Sequence, residues 1–185
     1  MDGFDVSADG GQPVVGELRE KLLEPFIAAT RAALGEMAGA ELVVRGVYRQ
    51  TMHHVLGDLA AVIRIRSITD DSSPSVAGET VRGEGAMVLG FPQRTAAALA
   101  GRILAGVASD VDENLIRDCV GELANVVAGQ AKALMAERPV RFGFSLPQIV
   151  VNADEFQPQQ GLDCQVVAFT CDQGEFALQL FVNAS

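Results

Sequence analysis

Apolar residues recur at helical spacing in three stretches of this chain and crowd into short runs elsewhere. The first stretch, "GELREKLLEPFIAATRAALGEMAGAE" (16–41), predicts a helix. Pro25 lacks an N–H and crowds the preceding turn, so it suits a first turn. The main helix is therefore expected at about 24–38, after a shorter helical piece. "ELVVRGVYRQ", "HHVLGDLAAVIRIRS" and "GEGAMVLGFP" follow as β-rich runs, with the polar cluster 69–79, "TDDSSPSVAGE", as a turn between strands. "FPQRTAAALAGRILAGV" predicts a second helix, with Pro92 near its first turn. "SDVDENLIRDCVGELANVVAGQAKALMAE" carries the longest helix signal. Ser109 or Asp110 can cap it, and Asp112 and Glu113 favour its positive end. "SLPQIVVN", "CQVVAFTC" and "EFALQLFVN" then read as strands, with a polar loop at about 153–163.

The order helix–strand–strand–strand thus occurs twice, with a short helix between the copies. "GDLAAVIRIRS…GEGAMVLGF" and "GLDCQVVAFTCDQGEFALQLF" share a pattern. The expected class is α+β, a pseudo-repeat of two helix–β–β–β halves with a largely antiparallel sheet and the long helices packed on one face. No G-x-G-x-x-G opens a helix, so a dinucleotide-binding fold is not indicated.

On the third helix each residue advances about 100°. With Ile116 at zero, Val120, Leu123, Val127, Ala131 and Leu134 fall within about 60° of it and form a stripe facing the sheet. Asp118, Glu122, Asn125, Gly129 and Lys132 fall on the opposite side, and Gly121 lies near it. Glu122 and Asn125 are therefore expected to project outward, about one turn apart. Glycine within a helix costs roughly 1 kcal/mol relative to alanine, and close approach by another surface is one reason to tolerate it. Most outward Glu and Asn residues on helices are merely solvated, so the periodicity alone assigns them no task.

Charge and composition narrow the partners. The chain has 185 residues and a formal charge of −10, with its basic residues scattered. Phosphate repulsion then argues against nucleic acid, and an anionic membrane is no better partner. Residues 1–15 are acidic and Gly-rich and are expected to form a flexible tail; residues 16–185 are expected to form a single domain. The start shows no signal-peptide pattern, and three cysteines suit a reducing compartment, so a cytoplasmic location is expected. His53 and His54 would point to opposite faces of a strand and do not chelate together. Cys119, Cys164 and Cys171 lack a paired base, no G-x-S-x-G elbow occurs, and "GEGAMVLG" has no following Lys.

Asp118, Glu122 and Asn125 form the string DxxxExxN within "DCVGELANVVAGQAKALM". This resembles the signature helix of the CheC/CheX/FliY family of bacterial chemotaxis phosphatases. Pro147 in "SLPQIVV" stands near the place of a proline in the family pattern. "EPFIAATRAAL" and "VLGFPQRTAAALAGRIL" resemble the other two helices. The first helix holds no Asn, and that single-site pattern is closest to CheX. The resemblance implies that Asn125 orients the water attacking an aspartyl phosphate on a CheY-like receiver domain, and that Glu122 pairs with a receiver lysine. Asp118 fills the remaining position of the family pattern, although a plain solvated carboxylate is its simpler account, and the bare Gly129 on the same face reads as part of a docking site. The resemblance implies no metal on this chain, since Mg2+ belongs to the phosphorylated receiver, and a homodimer. A rival function on the same fold is a non-catalytic receiver-binding adaptor or phosphate sink.

Overall fold

The computed structural model describes residues 12–13, 17–51, 54–70, 79–137, 141–151, 156 and 162–183. Its elements run β1 (Gln12–Pro13), α1 (Glu17–Ala38), β2 (Val43–Gln50), β3 (Leu59–Asp70), β4 (Glu79–Phe91), α2 (Gln93–Ile103), α3 (Glu113–Leu134), β5 (Arg141–Phe144), β6 (Gln148–Val151), β7 (Leu162–Cys171) and β8 (Gly174–Asn183). Pro25 lies inside α1, which is one continuous helix of 22 residues and not a short piece followed by a longer one. The proline forfeits one backbone hydrogen bond. Its ring is buried, as are Leu23, Phe26, Ala29 and Ala33, so packing holds the helix together where the backbone bond is lost. The turn cluster expected at 69–79 is narrower: β3 runs to Asp70, β4 begins at Glu79, and 71–78 lie outside the described residues. The expected tail also lies outside them, except that Gln12 and Pro13 pair with Arg49 and Tyr48.

The strands form one antiparallel sheet in the order β1-β2-β7-β8-β4-β3, with β5 and β6 both on the outer side of β3. This order explains the twofold pattern in the sequence. β3–β4 and β7–β8 are the two hairpins, and they meet through β4 and β8 at the centre. Each half then lends its first strand to the other: β2 pairs with β7, and β5 and β6 pair with β3. The class is α+β, as the alternation of elements predicts.

All three helices pack on one face. Strand alternation sends Ala61 and Ile63 of β3, Met87, Leu89 and Phe91 of β4, Val167 and Phe169 of β7, and Phe176, Leu178 and Leu180 of β8 towards them. Phe169, Phe176 and Phe91 stack in a row there, with ring centroids 5.2 and 4.9 Å apart. The opposite face carries Ala60, Val62, Ala86, Val88, Val166 and Phe181, and is closed by Val55 and Phe156. Gly90 makes that closure possible, because a Cβ there would run into the Leu56 carbonyl.

Two buried glutamines lie on this second face. Gln179 Nε2 donates to Gln50 Oε1 (2.7 Å) and to the His54 carbonyl (2.8 Å), while Leu56 N donates to Gln179 Oε1 (2.8 Å). The amides thereby tie the segment before β3 to the sheet. His54 precedes β3, with Nδ1 3.2 Å from Gln50 Nε2, and His53 lies outside the described residues. No helix among the described residues is long and apolar enough to cross a membrane.

Candidate functional site

The site is built on α3. Its N-cap is Asp112, whose carboxylate accepts from Leu115 N at 2.9 Å; neither Ser109 nor Asp110 takes that place. Val111 just before the cap and Ile116 in the first turn both pack on the core, and this staple sets where the helix starts. Ile116, Val120, Leu123, Val127 and Ala131 are buried, as their periodicity predicts. Leu134 is not: it is 56 % exposed, and Met135 is buried in its stead. Leu134 ends the helix, and the turn after it swings Met135 back to the core.

Asp118, Glu122, Asn125, Gly129 and Lys132 are all exposed on the far side of α3. Glu122 and Asn125 therefore stand in solvent about one turn apart. Neither Asp118 nor Glu122 is in an ion pair among the described residues. A Cβ at Gly129 would meet nothing within 4 Å, so the helix surface there is bare.

Gly121 behaves differently from what its place on the wheel suggests. It is buried, and a Cβ on it would lie 3.4 Å from Ile149 Cδ1 and 3.9 Å from Pro147 Cγ. The loop 145–147, between β5 and β6, thus closes against α3 beside the strip that holds Asn125. On its other flank α3 packs on α1, where Gln130 Nε2 donates to Glu36 Oε2 at 3.2 Å. The exposed positions of α1 include the small Ala28, Ala32 and Gly35 as well as the charged Glu24, Arg31 and Glu36.

Burial first, and then the neighbouring Asp118 carboxylate, push the Cys119 thiol above its ordinary range. It stays protonated at neutral pH and is no nucleophile. Cys164 is buried, with its thiol donating to Gln50 Oε1 at 3.4 Å, Cys171 is half-buried, and none of the three cysteines is in a disulfide. Among the described residues no three His, Cys, Asp or Glu side chains come together as a metal site.

The family model described as chemotaxis phosphatase CheX matches residues 75–171, just over half of the chain and all of α3. The chain belongs to the CheX family. Solved structures agree in fold. A chemotaxis protein CheX from Desulfovibrio desulfuricans has a TM-score of 0.72 at 22% identity, covering 88% of this chain and 99% of its own. CheX from Vibrio vulnificus has a TM-score of 0.69 at 20% identity, covering 88% and 99%. The CheX–CheY–BeF3–Mg2+ complex from Borrelia burgdorferi matches with a TM-score of 0.64 at 15% identity, covering 88% and 97%. No curated protein matches the chain.

Sequence reasoning found the exposed strip of this CheX-family chain because helical periodicity is local. It singled out Pro147 only through the family resemblance and did not place the loop 145–147 beside α3, a position that comes from β5 and β6 both pairing with β3.

Proposed function

We propose that this chain is a phosphatase for the aspartyl phosphate of a CheY-like receiver domain. One observation carries the reading: a carboxylate and a carboxamide stand outward, side by side, on a helix whose back is fixed to the sheet. Membership of the CheX family supports it, and so does the existence of a CheX–CheY complex of the same fold.

An aspartyl phosphate on a receiver already has its Mg2+, and the helper protein has little left to supply beyond a water in line with phosphorus. The water oxygen bonds to phosphorus as the bond from phosphorus to the aspartyl oxygen breaks. The products are inorganic phosphate and a free carboxylate, and the water proton leaves with the phosphate or passes to solvent. Asn125 is suited to hold that water, since an amide accepts from it and donates to phosphoryl oxygen without ionising. Glu122 takes a cation on the receiver and fixes register more than affinity. Asp118 and Gly129 lie under the docked partner. The metal stays with the receiver, and association of two copies belongs to the same proposal.

The test is phosphate release from a chemically phosphorylated receiver with this protein substoichiometric. Turnover is expected. Asn125→Ala is expected to remove the stimulated rate while leaving the thermal midpoint unchanged, because an exposed substitution shifts stability little. Glu122→Ala is expected to raise the receiver concentration needed for half-maximal rate. A single stoichiometric effect without turnover would assign the chain to binding alone, and a fully active Asn125→Ala would remove that residue from the chemistry.

A further inference from the structure

Leu146 is 83 % exposed. A lone exposed leucine requires no explanation, but the setting of this one is unusual for a surface loop. Its backbone is tied down at both sides. Ser145 N donates to the Arg64 carbonyl at 3.0 Å, Arg64 N donates to Ser145 Oγ at 3.0 Å, and Ser145 Oγ donates to the Leu146 carbonyl at 2.8 Å. Pro147 follows, which restricts Leu146 to extended backbone and fixes the next turn of chain. The same Pro147, with Ile149, abuts α3 at Gly121. Gly121 and Asn125 are four residues apart and so share one flank of the helix, about 6 Å from each other. The leucine is therefore exposed on a loop tied down by hydrogen bonds, next in sequence to the proline that abuts α3 one turn from Asn125.

We propose that Leu146 is a docking residue for the receiver that α3 engages, an inference that rests on the function proposed above. The partner surface must bring a cation to Glu122 and an apolar patch to Leu146. That combination fits a folded protein. It does not fit nucleic acid or an anionic lipid surface, which the exposed Asp118 and Glu122 would repel. Because Ser145 and Pro147 have already ordered the loop, burying Leu146 costs little further chain entropy. Its contribution is uniform: it holds substrate and transition state alike and leaves the chemical step to Asn125.

The experiment measures binding of CheY-like receiver domains of the source organism, loaded with beryllofluoride and Mg2+, to the full chain, together with steady-state phosphate release. Leu146→Ser is expected to weaken Kd by about tenfold and to raise KM by the same factor with kcat unchanged, as loss of one buried leucine contact implies. Leu146→Met keeps the apolar bulk and is expected to bind within about twofold of the parent. A Kd for Leu146→Ser within twofold of the parent overturns the proposal. So does a fall in molar mass of the free protein on substitution with receiver affinity intact, since the leucine would then serve contact between copies. Should the parent bind receivers without speeding phosphate release, the phosphatase reading falls and the Kd comparison still decides Leu146. Should it bind none of them, both fall.

Discussion

Gly121 and Gly129 lie about two turns apart on α3 and have opposite surroundings. Gly121 faces Pro147 and Ile149 at contact distance, whereas Gly129 faces open space. Nothing in the isolated fold requires a glycine at 129, and its φ is an ordinary helical one. Gly129→Ala is therefore expected to stabilise the chain by about 0.5–1 kcal/mol, the usual helix-interior difference. Urea unfolding checks this, and an unchanged or lower midpoint would reveal a contact at that position. If the bare patch serves close approach of a receiver, the same variant raises KM while it raises stability. Other residues on this helix were readable in part. A rotation of about 100° per residue is enough to turn Glu122 and Asn125 away from Ile116 and Leu123. It misplaces Leu134 and Gly121, since a wheel carries no record of where the sheet ends or which loop lies beside the helix.

The start of α3 shows what decides an element boundary. Ser109, Asp110 and Asp112 are all chemically able to cap, and propensity does not choose among them. Val111 and Ile116 do, because both must reach the core, and only a cap at 112 allows that. Asp112→Ala is expected to cost about 1 kcal/mol, and Asp110→Ala next to nothing, in thermal or urea unfolding. Equal losses for the two would mean that the helix begins a turn earlier. Pro25 teaches the opposite lesson about α1. The local rule predicts a break, yet the surrounding buried side chains hold the helix straight through it. The strands were visible as apolar runs, although β3 begins only at Leu59, after a segment that the buried Gln50 and Gln179 tie to the sheet. Sequence patterns give a buried glutamine no signature, because its partners come from distant strands.

At the scale of the molecule, the two halves are interlocked. Neither hairpin is complete without a strand from the other half, and β4 and β8 sit at the middle with both faces covered. Amide hydrogen exchange is expected to be slowest in β4 and β8 and fastest in β5 and β6, which are four residues each and pair on one side with β3. Protection of β6 as strong as that of β4 would show that something covers that edge. Such interlocking also anchors α3 from behind, and an exposed pair of polar groups can work on a partner only if the helix beneath them does not yield.

By itself the sequence determined most of the elements, though not β1 or β5, together with the α+β class and the outward direction of Glu122 and Asn125. All of these follow from spacing within a few turns of chain. Only the tertiary structure decided which half each first strand joins, that Gly121 is covered, and that the loop carrying Leu146 and Pro147 abuts α3 one turn from Asn125. Those facts depend on pairings between segments far apart in the chain. Such pairings are selected by register and shared burial, and leave no local pattern to read.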